Sequence, residues 1–499
     1  MSKTRIVLKN AAIQAVSQVV TWILTWILLV MLPRYLGDSQ FGKLFFAITY
    51  GTIFSTLINL GVNTFLVKEV AILHATPDMP ASEIAGRRTK MHALLSNVLA
   101  LKLGLATAIY VIQSIVIYFL PYSVETRQAV LIIGLGTCIG AVTQTLCGAF
   151  QGLQYVLAPS VVVIIEKIII TAGCAVLLLQ GHSLLSVCWV HTAGAVVSFI
   201  LALSWLYRYE NFTVAWDGPI LRRIFLGGLP FLVWVVFGEI YIRIDVLMLS
   251  LMSSDAVVGW YGAATRLYGT LLFIPNILTT SVFPAVMRMG SDLGDEAAFS
   301  RASERLMNLV LFAAIPIATG TIAVARPLVR LLYGPGPFEN AGPNLQILGV
   351  SILLVSIDVV LGTALIARGR EKAWAVTAVA AAIFNPLVNL WAIPFTLRIW
   401  GNGGIGASMA TALTELLMMF AALRLMPPGV FTSRNIVVGC KGCLIGVAMV
   451  ALLHWWGTEN LWLLIPAGAI FYLPLALLWG VLPREDFYHL RHALLEHRL

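Results

Sequence analysis

Apolar runs of about twenty residues or more, separated by short polar stretches, follow one another along the whole chain. A bilayer core about 30 Å thick is crossed by about 20 apolar residues in a helix. On that measure the pattern predicts membrane helices over 11–33, 41–66, 91–120, 128–150, 156–180, 184–207, 223–251, 258–285, 305–332, 344–367, 373–397, 404–426, 434–456 and 461–482. Barrel strands would alternate polar and apolar positions over about ten residues. Stretches such as Val161–Ile165 and Leu461–Ile465 are continuously apolar instead. The fold class expected is therefore an all-α membrane protein of about fourteen transmembrane helices. Lys3, Arg5 and Lys9 precede the first run, as in a signal peptide. That run continues without a small-residue cleavage site, so a retained first helix is expected.

Composition narrows the chemistry. Of 499 residues, 59% are apolar and 11% charged, against about 25% charged in soluble domains. The net charge of +9 is spread over short loops, not gathered into a basic stripe with interleaved aromatics, so no nucleic-acid partner is expected. No polar stretch is long enough for a nucleotide-binding domain, and no G-x-x-x-x-G-K-[ST] loop occurs. Gly134-x-Gly136 sits inside a predicted helix, so no nucleotide partner follows from it. All six cysteines fall in apolar runs. Cys440-x-x-Cys443 has neither a second pair nor a nearby His, which argues against zinc. No metal, cofactor or enzymatic centre is expected, apart from H⁺ or Na⁺ as coupling ions.

Lys and Arg orient the helices, because cytoplasmic loops carry the excess. With the N-terminus inside, loops on that side hold 21 of the 32 basic residues and outer loops hold 4. An even helix count returns the C-terminus to the cytoplasm, with 484–499 as a short amphipathic tail. Leu36-Gly37-Asp38-Ser39-Gln40-Phe41-Gly42 recurs as Ser253-Ser254-Asp255-Ala256-Val257-Val258-Gly259, Gly152 matches Gly369, and Gly181–Leu203 aligns with Gly401–Leu423. An offset of six helices is a parallel repeat, as in some transporters. The expected organisation is an N-lobe over 1–210, a C-lobe over 211–428, and two extra helices with the tail over 429–499.

An ionisable side chain near the bilayer centre costs at least about 2.5–3.5 kcal/mol, so such residues point to function. Glu239 and Arg243 are i,i+4 and share a helix face. Arg266 lies at similar depth on the next, antiparallel helix. Guanidinium groups in a water-filled cavity there suit an anion, above all a phosphate, through paired donation; a structural Glu–Arg clamp is the other reading. Lys102 and Lys167 extend the same basic cavity or pair with Glu166 or Glu415 in packing. Asp358, Glu415 and Asp245 are candidates for ion coupling. Arg326, Arg330 and Lys441 lie near helix ends, where they snorkel. Trp400, Trp455, Trp456, Trp462 and Trp479 suit an interfacial belt.

Leu32-Pro33-Arg34-Tyr35-Leu36-Gly37 with Gly42, Leu60-Gly61-Val62, Val258-Gly259-Trp260-Tyr261-Gly262-Ala263-Ala264 with Arg266-Leu267, Ile274-Pro275 and Phe283-Pro284 together carry a resemblance. The chain resembles the polysaccharide flippases, the Wzx-type O-antigen flippases and related exporters of the multidrug/oligosaccharidyl-lipid/polysaccharide exporter superfamily. The resemblance implies two pseudo-symmetric six-helix lobes in a V that alternate in access. It implies an undecaprenyl-diphosphate-linked oligosaccharide as cargo, moved to the outer leaflet of the bacterial cytoplasmic membrane. Membrane lipids, and polymerase or ligase proteins of the same pathway, are the implied partners. Arg266 falls where related lipid II flippases carry an arginine, which implies a role at the cargo phosphates. The first two helices are less basic than in lipid II flippases: they offer Gln14, Gln18, Asn59 and Asn63, with Asn59 a candidate cargo contact. A lipid II flippase and a cation-coupled multidrug exporter are the alternatives.

Overall fold

The computed structural model describes residues 3–59, 61–74, 80–210, 216–280, 296–426 and 430–481. The expected tail at 484–499, the loop around Arg288 and Phe283-Pro284 lie outside them. The described residues fold into α1 (Lys3–Asn59), α2 (Val62–Leu73), α3 (Ala81–Phe119), α4 (Val124–Gly152), α5 (Leu157–Leu179), α6 (Leu184–Glu210), α7 (Gly218–Met252), α8 (Asp255–Leu271), a helical stretch over 273–280, α9 (Glu296–Tyr333), α10 (Ala341–Ala367), α11 (Glu371–Trp400), α12 (Gly403–Leu425), α13 (Ser433–Trp456) and α14 (Leu461–Leu478). Eleven helices among the described residues are long and apolar enough to cross a membrane. The count differs from fourteen partly because α1 holds two of the expected helices, and α8, at 17 residues, ends early.

Two glycines explain where the first helices differ from expectation. The expected polar gap at 34–40 is helical on both sides and is interrupted only at Gly37, whose φ is 74° and ψ 173°. Just after it, Asp38 Oδ1 accepts from Ser39 N at 2.8 Å. The predicted helix over 41–66 is not continuous: its first part ends at Asn59, Gly61 takes a left-handed φ of 67°, and α2 runs on to Leu73. The apolar run hides this break, because Leu60-Gly61-Val62 offers no polar signal. A Cβ at Gly37 would meet nothing within 4 Å, so Gly37→Ala tests backbone strain alone. A backbone with φ near 74° and ψ near 173° is essentially confined to glycine and costs an L-residue about 1–3 kcal/mol. The melting temperature in detergent should fall by a few degrees, and an unchanged value would show that the junction relaxes freely.

The chain divides into two compact units, Met1–Leu251 and Met252–Leu499. In the first, α4 is the central helix and packs against α1, α2, α3 and α6, while α5 packs on α1 and α6. Phe150, Val98, Leu146, Val162 and Leu206 lie in its core, together with Ile224 of α7. Lys43 Nζ donates to Glu125 Oε2 at 2.6 Å, joining α1 to the start of α4. The unit boundary falls after α7, one helix later than the 210/211 boundary that the repeat suggests. The reason is that α7 is tied to the first unit at both ends. Asp217 N donates to Asn97 Oδ1 at 2.6 Å, and Tyr122 and Ser250 share a hydroxyl hydrogen bond of 2.7 Å.

In the second unit α9 packs on α10, α10 on α12, α11 on α12, and α8 on α10 and α12. This repeats the pairing of α3 with α4, α4 with α6, α5 with α6, and α1 with α4 and α6. The recurring Gly37 and Ser254 segments both stand at the junction before the corresponding helix. The last two helices dock on α9. Asn435 Nδ2 donates to Asn308 Oδ1 at 2.7 Å, and Lys441 Nζ donates to the Trp479 carbonyl at 3.1 Å. Arg330 is held in an ion pair with Glu459 at 2.5 Å, a more specific fixture than snorkelling.

Candidate substrate-binding site

A cavity of about 910 Å³ lies within the first unit, between α2, α4 and α5. Each helix contributes for a readable reason. The stripe Gly140, Gln144, Gly148 and Gln151 lies on one side of α4, at helical spacing, and faces the cavity. Its glycines leave room and its amides, both exposed, offer donors and acceptors. From α5 come Glu166 and Lys167, roughly 15 Å along the helix from Leu157 at 1.5 Å per residue. Neither is engaged in an ion pair among the described residues. The α2 wall adds Asn63, Thr64 and Lys68. The result is an open hollow with two ammonium groups, one carboxylate and three amides. Such a lining can pair with a diphosphate and with sugar hydroxyls, neither of which hydrocarbon can solvate.

The structure sorts the other sequence candidates. Lys102, expected to extend a basic cavity, is instead 0% exposed. Its Nζ donates to the carbonyls of Ile58 at 2.9 Å and Asn59 at 3.2 Å and to Asn59 Oδ1 at 3.3 Å. Asn59 is thereby an acceptor for Lys102, and it is Asn63, one turn later, that lines the cavity. Arg243 Nε donates to Glu239 Oε2 at 2.5 Å, with both side chains about 30% exposed. Asp245 on the same helix is buried. Arg266 belongs to the second unit, where α8 places it half-buried near the Tyr333 hydroxyl.

One relationship was not visible in the sequence. Asp358 and Glu415, read there as separate acids, come together between α10 and α12 as a buried pair, 3% and 6% exposed. Among the described residues, neither Asp358 oxygen meets a hydrogen-bond donor other than the Glu415 carboxyl. Equal depth was the available signal: Asp358 stands nine residues before Ala367 and Glu415 ten before Leu425. Lys68, Asn63, Gln144 and Gln151 were also missed as cavity residues, since amides and helix-end lysines do not stand out among apolar runs.

Comparison with known proteins places this architecture. A chain of Vibrio cholerae serotype O1 named "Probable lipid II flippase MurJ" is 22% identical over 313 residues, which are 58% of this chain and 58% of that one. The chain thus spans little more than half the length of that relative. A Shigella dysenteriae chain that carries the description O-antigen transporter is 22% identical over 380 residues, 74% of this chain and 88% of that one. The solved structure "Lipid II flippase MurJ, inward closed conformation" superposes with a TM-score of 0.71 at 15% identity, covering 96% of this chain and 100% of that one. By their names these relatives are flippases or transporters. The chain shares the fold of that solved structure and is a multi-pass membrane protein. The family described as "Polysaccharide biosynthesis protein" matches residues 7–289, and the chain belongs to it.

Proposed function

We propose that this protein is a flippase for a polyprenyl-diphosphate-linked oligosaccharide. It would carry the head group from the cytoplasmic to the outer leaflet of the cytoplasmic membrane, with both termini in the cytoplasm. The observation that supports this most is the first-unit cavity, which sinks Lys68, Lys167, Glu166 and a row of amides into a helical membrane unit. Each intramembrane charge is costly to insert, and a polar head group offsets that cost. The lipid tail needs no such site, because it stays in hydrocarbon. Arg243, restrained by Glu239, and Arg266 are the further phosphate ligands in this reading. The buried pair Asp358 and Glu415 is one candidate for binding a coupling proton or sodium ion, and Asp245 in the first unit is a separate one.

The test is transfer of a fluorescent undecaprenyl-diphosphate oligosaccharide across proteoliposome membranes, beside lipid II and a cationic drug. The reading predicts movement of the oligosaccharide carrier by the wild type. Preference for lipid II would move the assignment to a lipid II flippase. Cation-dependent efflux of the drug, with no movement of either lipid, would overturn it in favour of drug export. In the same assay Arg243→Ala and Arg266→Ala should each slow movement about tenfold, the loss of roughly one charge-assisted contact. Rates within twofold of wild type for both would remove the arginines from the site and leave the function standing.

A further inference from the structure

The second membrane helix is broken, and the break carries a charge. Its first part ends at Asn59 and α2 begins at Val62, with Gly61 left-handed between them. A helix that stops leaves its last carbonyls without intrahelical donors. Inside a bilayer no water replaces them. Lys102 reaches across from α3 and supplies the missing donors. An ammonium has three N–H groups, and Ile58 O, Asn59 O and Asn59 Oδ1 give it three acceptors. Its positive charge also stands at the negative end of the helix dipole.

The network does not end there. Asn63 Nδ2 donates to Asn59 Oδ1 at 3.4 Å, and Thr145 Oγ1 donates to Asn63 Oδ1 at 2.8 Å. Asn63 is a cavity residue on α2, and Thr145 belongs to α4. The same short helix is pressed onto α4 lower down, where a Cβ on Gly152 would come within 2.9 Å of the Val67 carbonyl and 2.8 Å of the Val70 side chain. Everything α2 contributes to the cavity lies beyond the break. Its pose is therefore set at two places, the α4 glycine notch and the Lys102 cap.

We propose that Lys102 is a positioning residue for the cargo cavity: it locks the break between Asn59 and Val62 and so fixes the α2 wall against α4. It acts through Asn59 and Asn63 and touches no cargo. The transport arm of its test rests on the flippase reading; the geometric arm does not.

In a background without the six native cysteines, Thr64→Cys reports on the α2 wall and Ser183→Cys, an exposed loop position, serves as control. Lys102→Met should change the alkylation rate at Thr64→Cys at least fivefold and leave Ser183→Cys unchanged. The half-saturating concentration of the oligosaccharide carrier should rise about tenfold, with the rate at saturation within threefold of wild type. Lys102→Arg, which restores donors, should recover part of both. Unchanged alkylation in folded Lys102→Met protein overturns the proposal, and lost transport with unchanged alkylation means that Lys102 meets cargo directly. If Lys102→Met does not fold, Asn63→Leu cuts the same link without touching the cap, and unchanged alkylation there is equally fatal. Absence of carrier movement by the wild type counts against the flippase reading alone, since the alkylation result still decides the role of Lys102.

Discussion

Lys167→Glu should cut the initial rate of carrier movement at least tenfold, while Lys167→Arg keeps more than half of it. Lys167 and Glu166 are neighbours on α5 and both face the first-unit cavity. Reversal would leave two adjacent carboxylates and only Lys68 as counter-charge. A diphosphate approaching them would meet repulsion where the wild type offers an ammonium. Like-charge juxtaposition in a binding site costs several kcal/mol, and about 1.4 kcal/mol already gives tenfold. Arginine retains the charge and adds a fork suited to phosphate. The measurement is the proteoliposome rate at fixed carrier concentration, with protein amount and monodispersity matched. A Lys167→Glu rate near that of wild type would mean that the cavity does not hold the phosphates.

Gly406→Val should be the most destabilising single change outside that site. A Cβ at Gly406 would stand 2.3 Å from the Ala392 carbonyl oxygen, 2.5 Å from its carbon and 2.7 Å from Ile393 N. All three are backbone atoms of α11, so no rotamer change relieves the clash. The Gly406 N–H also donates to Thr396 Oγ1 at 3.0 Å, which fixes the two helices at this distance. Overpacking costs about 1–3 kcal/mol where side chains give way; here about 3 kcal/mol or more is expected, because helices must separate. Thermal unfolding in detergent should show a fall of ten degrees or so, or the protein should fail to accumulate. Gly439→Ala is the control: its nearest neighbour would be Leu311 Cδ1 at 3.8 Å, and alanine favours helix over glycine. Equal melting of the two variants would contradict the close approach of α11 and α12.

Much of the architecture was legible because lipid simplifies the code. Backbone groups in a bilayer must pair within helices, so apolar run length alone gave most helix positions, and the offset between the Gly37 and Ser254 segments gave the repeated pairing of helices. What stayed hidden was tertiary. Insertion cost flagged Lys102 and Lys167 alike, but not that one faces a cavity and the other caps a broken helix. That difference depends on Gly61, which is silent within an apolar run. Asp358 and Glu415 were each visible as expensive acids, yet their pairing depends on how α10 meets α12. Uncharged cavity residues such as Gln144 and Gln151 carry little hydropathic signal, although their helical spacing with Gly140 and Gly148 was there to be read.

The central claim, that the cavity between α2, α4 and α5 receives the cargo head group, is tested most directly by cross-linking. A photoreactive residue at Gln144, which is exposed in the cavity, would be irradiated with a head-group-labelled polyprenyl-diphosphate oligosaccharide. The account predicts a cross-link that excess unlabelled carrier suppresses and that Lys167→Glu weakens. Transport that proceeds normally while Gln144 captures no head group would place the cargo elsewhere and contradict the account.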